Sequence, residues 1–157
     1  MQLYLLRHAT AEPHGLGSDA ARALVEKGHR QVKRAAAFCK ANELLPELVL
    51  TSPLRRAVET ARGFCRDTGI DPPVVVPWLA CERAGDEAMR ELDAYRDHQS
   101  VMLVGHEPDF SMITASLLGT SAARFDVTKA SLILMDMVRP SPGRATLLAF
   151  LPNRLMP

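Results

Sequence analysis

Two histidines and a set of arginines fall at places where a chain commonly leaves a β-strand. Arg7-His8 follows the apolar run Leu3-Tyr4-Leu5-Leu6, and His106 follows Val101-Met102-Leu103-Val104-Gly105. Arg55 and Arg56 come shortly after a third such run, Leu48-Val49-Leu50-Thr51, across Ser52-Pro53. A guanidinium offers a rigid fork of donors that matches phosphate oxygens. A neutral imidazole can attack phosphorus and hold the phosphoryl group covalently. A phosphoryl group in transfer spreads negative charge over its equatorial oxygens, so positioned cations are the main catalytic need. The chemistry these residues suit is therefore phosphoryl transfer, with His8 as nucleophile, Arg7 and one of Arg55 or Arg56 as clamp, and His106 as a further donor.

These groups work together only if one scaffold collects them. Strand and helix patterns alternate: strands at 2–6, 48–50, 74–76 and 101–104, helices at 26–42, 52–68, 87–95 and 109–118. In the first helix Val32, Ala35, Ala36, Phe38 and Cys39 form the apolar stripe. Ser52 reads as an N-cap with Pro53 in the first turn, and Gly69 as the C-terminal cap. Ser18 or Asp19 can cap a stretch that follows, and 80–85 reads as loop. The segments 131–138 and 144–151, joined through Pro140-Ser141-Pro142-Gly143, read as an antiparallel hairpin. Alternation followed by a hairpin predicts an α/β fold, a three-layer α/β/α sandwich with a mainly parallel central sheet. Ligands of such sheets sit beyond the carboxyl ends of the strands, where the histidines and arginines fall.

The 157 residues are expected to form a single domain. With 19 basic and 18 acidic residues the net charge is +1, which gives no long-range attraction to nucleic acid or to an anionic membrane. No apolar run is long enough to span a bilayer and no signal peptide is visible, so a cytoplasmic location is expected. Cys39, Cys65 and Cys81 are scattered and read as buried thiols, none in the Gly-rich, Arg-bearing loop of a cysteine phosphatase. Arginines beside both histidines make a poor cation site, so neither metal nor other cofactor is expected. His14, His29 and His98 read as solvated surface residues, and Arg30, Lys33 and Arg34 as one solvated helix face.

The segments LRHATAE (6–12), TSPLRRAVETA (51–61) and LVGHEPDF (103–110) resemble those of the histidine phosphatase superfamily, the phosphoglycerate-mutase-like branch one. SDAARALVEKG (18–28), FDVTKASLILMD and LLAFLPNRL are similar to the short SixA-type phosphohistidine phosphatases. The resemblance implies a phosphoglycerate-mutase-like fold, His8 as the phosphorylated nucleophile, Arg7 and Arg56 as the phosphate-binding arginines, and His106 as the second histidine. Arg56 rather than Arg55 matches because Ala57 follows it, and adjacent helical residues point about 100° apart. Ser52, Asp19, Arg22 and Glu82 are candidate substrate-binding residues, Asp19 and Arg22 being equally readable as a surface ion pair or cap. Ala9 stands where many members have glycine, and Val25 where threonine is usual.

The mutase branch has a glutamate acid after its third strand, and none falls clearly in place here. Glu82 is the nearest, with Asp86 and Glu107 behind it. A protonated imidazole leaves phosphorus far more readily than an alkoxide, so an enzyme for N–P bonds can do without a dedicated acid. The expected activity is thus hydrolysis of phosphohistidine on a signalling or phosphotransfer protein by a monomeric enzyme. The alternatives are a broad phosphomonoesterase for small esters and a non-catalytic phosphoprotein-binding domain. A sugar-phosphate mutase is disfavoured, since the length leaves no room for the insertions that enclose its substrate.

Overall fold

The computed structural model describes residues 1–15, 17–80 and 86–157, Asp86 by its backbone alone. Six strands form one sheet: β1 (Gln2–Arg7), β2 (Leu48–Thr51), β3 (Val74–Val75), β4 (Ser100–Gly105), β5 (Leu132–Asp136) and β6 (Thr146–Leu151). Their order is β3-β2-β4-β1-β5-β6. The pairs β3–β2, β2–β4 and β4–β1 are parallel, whereas β1–β5 and β5–β6 are antiparallel. The hairpin strands are shorter than the sequence pattern, and a register shift at Leu134/Met135 interrupts their pairing.

Alternation along β1 builds the layers. Tyr4 and Leu6 pack on one face with Val32, Ala35 and Phe64, from helices α1 (Glu26–Ala41) and α2 (Arg55–Thr68). Leu3 and Leu5 pack on the other with Leu92, Phe110 and Ile113, from α3 (Asp86–Asp93) and α4 (Asp109–Leu118). Successive side chains of a strand point to opposite faces, and both faces here are covered, so the strands read as continuous apolar runs. Each such side chain contributes roughly 1.5–3 kcal/mol by leaving water. Cys39 and Cys65 are buried free thiols in the first of these cores, with burial pushing their pKa values up to about 12 and about 11.

One boundary differs from the sequence pattern and matters for the site. Helix α2 starts at Arg55, with Leu54 in the capping position, so Ser52 and Pro53 precede the helix. The Ser52 hydroxyl accepts the Leu54 N–H at 3.2 Å, and the turn leaves it beside His106. The cap at the other end is as read, Gly69 in the left-handed region at φ 81°.

Gly28 shows why α1 lies where it does. A Cβ at this position would meet the Thr10 carbonyl oxygen at 2.1 Å, the same oxygen that accepts the Val25 N–H at 3.1 Å. The clash is with backbone two residues from His8, which cannot rotate away. Gly28→Ala is expected to lose about 1–3 kcal/mol from overpacking, against the ~1 kcal/mol that alanine gains as a helix former. Equilibrium urea unfolding of the two proteins measures the balance, which should favour the wild type.

Candidate active site

Register brings the strand ends together. Arg7 pairs with Gly105 across β1–β4, and Thr51 with Val104 across β2–β4. One step further, the His8 N–H donates to the Gly105 carbonyl at 2.9 Å and the Ser52 N–H to the Val104 carbonyl at 3.0 Å. His8, Ser52 and His106 are therefore fixed side by side by the sheet's own ladder. The two imidazole centroids are 5.0 Å apart, and the rings are 3% and 1% exposed.

His8 is held in one tautomer. Its Nδ1–H donates to the Ala9 carbonyl at 2.8 Å, which leaves Nε2 with the lone pair. The loop carrying it is anchored in turn: Ala9 N–H donates to the Thr60 hydroxyl at 3.1 Å, and that hydroxyl donates to the Arg56 carbonyl at 2.7 Å. Nε2 faces two cations, Arg56 Nε at 3.3 Å and Lys129 Nζ at 3.1 Å. Burial, Lys129, His106 and Arg56 together push the pKa of His8 down to about 2. Burial, Arg56, Lys129 and Arg7 push that of His106 down to about 3. Both rings are neutral at physiological pH, and His8 presents an unprotonated nitrogen into a cationic pocket.

The arginines sit in different environments. Arg56 is buried against His8 and the Asp19 backbone carbonyl, 2.8 Å from Nη1. Arg55 is exposed and pairs with Glu59 at 2.7 Å. Arg7 donates from Nη1 to the Val127 carbonyl, and its charge reaches His106 and Glu107. His106 Nε2 and the Ser52 hydroxyl share a hydrogen bond of 2.7 Å, while His106 Nδ1 has no partner among the described residues.

Asp19 stands at the mouth, where it pairs with Arg56 at 3.1 Å, Arg22 at 3.0 Å and His14 at 3.2 Å. Partial burial opposes its ionisation, but Arg56, Arg22 and His14 hold its carboxyl below the usual range. Asp19 and Arg22 thus form an ion pair that touches Arg56. His98, away from the site, pairs with Glu47.

Of the three candidate acids, Glu107 is engaged elsewhere: its carboxylate accepts the Ser111 N–H at 3.2 Å and the Ser111 hydroxyl at 2.7 Å, inside the first turn of α4. Burial raises its pKa, partly offset by Ser111 and Arg7. Glu82 lies outside the described residues, as does the side chain of Asp86.

Lys129 and Thr60 are the site residues that sequence reasoning missed. Lys129 enters from the loop before β5, placed by Ala130, whose φ is 56° and whose N–H donates to the His8 carbonyl at 3.3 Å. The only local signal is a lysine inside a segment, FDVTKASL, that already resembled the family's closing hairpin.

Residues 3–80 match the family model of the histidine phosphatase superfamily (branch 1). No curated relative matches the chain by sequence. Among solved structures, a protein assigned as phosphohistidine phosphatase SixA from Agrobacterium tumefaciens is 27% identical, with a TM-score of 0.83 over 96% of this chain and 97% of that one. A protein histidine phosphatase SixA complexed with tungstate is 22% identical, with a TM-score of 0.88 over 98% of each chain. A protein assigned as alpha-ribazole-5'-P phosphatase from Escherichia coli K-12 is 21% identical, with a TM-score of 0.77 over 98% and 97%. The matched segment carries His8, Ser52 and Arg56, the fold around it is that of the SixA structures, and the chain belongs to the histidine phosphatase superfamily, branch 1, whose members are phosphatases.

Proposed function

We propose that this protein hydrolyses phosphohistidine on a protein substrate through a covalent phosphohistidine intermediate at His8. The carrying observation is the lone pair of His8 Nε2, fixed by the Ala9 carbonyl and faced by Arg56 and Lys129. In the first step Nε2 attacks phosphorus in line, and the bond from phosphorus to the substrate imidazole breaks. Arg56, Arg7 and Lys129 move their donors from protein acceptors and Nε2 onto the equatorial oxygens, where charge accumulates. The leaving imidazole takes its proton from solvent. Water then attacks phosphorus, the bond to Nε2 breaks, and inorganic phosphate departs with His8 regenerated. Ser52 and His106, hydrogen-bonded to each other, add neutral donors beside the same oxygens.

The likeness to SixA proteins supports phosphohistidine as substrate, and the chemistry is consistent with it, since this leaving group makes little demand on a general acid. The ribazole phosphatase neighbour favours a second reading, a small-molecule phosphomonoesterase on the same machinery. Comparing kcat/KM for a phosphohistidine protein and for an alkyl phosphate decides between them. The proposal expects a preference for the N–P bond of at least about 100-fold, the scale on which general acids act. Equal rates on both would replace it with the second reading.

A further inference from the structure

Beside the reaction centre lies a second basic feature that the phosphoryl chemistry does not use. A cavity of about 510 Å³ opens between α1 and the segments around Lys129 and Arg154. Its charged lining is entirely cationic: Lys27, Arg30, Arg34, Lys129 and Arg154. Arg30 is paired with Glu26, whereas Lys27, Arg34 and Arg154 have no ion pair among the described residues. Such a cluster is notable in a chain of net charge +1. Arg30, Lys33 and Arg34 are exposed, as read, but not on one face, because Lys33 lines a different depression, with Glu59 and Arg66.

The floor of the cavity is ordered. Gln31 accepts from both the Thr10 N–H and the Thr10 hydroxyl at 2.9 Å, and buried Asn153 donates to the Gln31 carbonyl at 2.9 Å. Thr10 is two residues from His8, and Lys129 belongs to both places, lining the cavity while its Nζ touches His8 Nε2. Lys27, Arg30 and Arg34 lie three and four residues apart along α1, a cationic row about 10 Å long. A phosphate monoester with one anionic group would be satisfied at His8 and leave this row unused.

We infer that the cavity is a docking site for acidic side chains flanking the phosphorylated histidine of the protein substrate. The inference rests on the proposed phosphohistidine activity and adds to it a substrate class, an acidic protein segment read along a cationic row of about 10 Å beside the reaction centre.

The test uses two phosphohistidine peptides, one with Asp and Glu around the histidine and one with Asn and Gln, and a Lys27→Glu/Arg34→Glu/Arg154→Glu protein. In low salt the wild type is expected to favour the acidic peptide by about tenfold in kcat/KM, mostly through KM, with high salt erasing the preference. The variant should lose that preference and retain wild-type turnover of p-nitrophenyl phosphate, which also reports that it is folded. Equal kcat/KM for both peptides in the wild type, or a preference that survives in the variant, would overturn the docking site. Failure of the phosphohistidine reading looks different: neither peptide is turned over while p-nitrophenyl phosphate is. The docking site is then read by competition, since the unphosphorylated acidic peptide should inhibit p-nitrophenyl phosphate hydrolysis by the wild type and not by the variant. Equal inhibition of both proteins, or none, would sink it.

Discussion

His8→Asn protein is expected to lose turnover by roughly 10³–10⁶-fold, the range seen when a covalent nucleophile is removed while the surrounding site stays. The reason is local. In the proposed mechanism the other groups act as cations or hydrogen-bond donors, whereas His8 Nε2 has a lone pair oriented by a fixed Nδ1–H bond to the Ala9 carbonyl. The variant keeps Arg7, Arg56 and Lys129, so it should still bind an oxyanion such as tungstate with an affinity near that of the wild type. Brief exposure of the wild type to ³²P-labelled substrate should leave label on the protein that is lost in acid and stable in base, as a phosphoramidate is, and His8→Asn should carry none. Turnover by the variant within tenfold of wild type, or an acid-stable label, would remove His8 from the mechanism.

The parts of this site legible in the sequence were those that combine a strand end with an unusual side chain. Arg7-His8 and Gly105-His106 followed clean apolar runs, and the parallel register of β1 and β4 then made them neighbours. Helical geometry separated Arg56 from Arg55, and their environments differ as that geometry requires: one at 3% exposure against His8, the other in solvent with Glu59. Ser52 was misread for a physical reason. A serine before proline has local capping propensity, but here the bond to His106 and the turn to Leu54 hold it outside the helix. Lys129 was invisible because its contact with His8 spans 121 residues, and nothing in the pattern of its own loop points inward. Gly28 was noticed as part of a motif, yet its reason, the Thr10 carbonyl against the helix, exists only in the packed structure.

Acid should destabilise this fold well before its carboxylates titrate. Both active-site imidazoles are neutral in the native state, with pKa values down to about 2 and about 3 against an ordinary 6.5 in the unfolded chain. Below pH 6.5 the unfolded chain therefore binds two protons that the native state refuses. Stability is full above 6.5 and falls with pH by about 1.4 kcal/mol per unit for each ring. Between pH 7.5 and pH 5 the pair should cost about 4 kcal/mol, a large share of the 5–15 kcal/mol typical of a domain. The lowered pKa of Asp19 adds acid sensitivity only at lower pH, and the raised pKa of Glu107 offsets part of the loss as its own range is approached. Urea unfolding across pH 7.5 to 5 measures the total, and the difference between wild type and His8→Asn isolates one ring, about 2 kcal/mol by pH 5. If the two proteins lose stability in parallel, His8 is not held neutral by its burial and cationic neighbours. The same burial and cationic surroundings that make the native state acid-sensitive keep the nucleophile unprotonated wherever the fold survives, so the acid limit of activity should follow unfolding or substrate ionisation rather than protonation of His8 in the free enzyme.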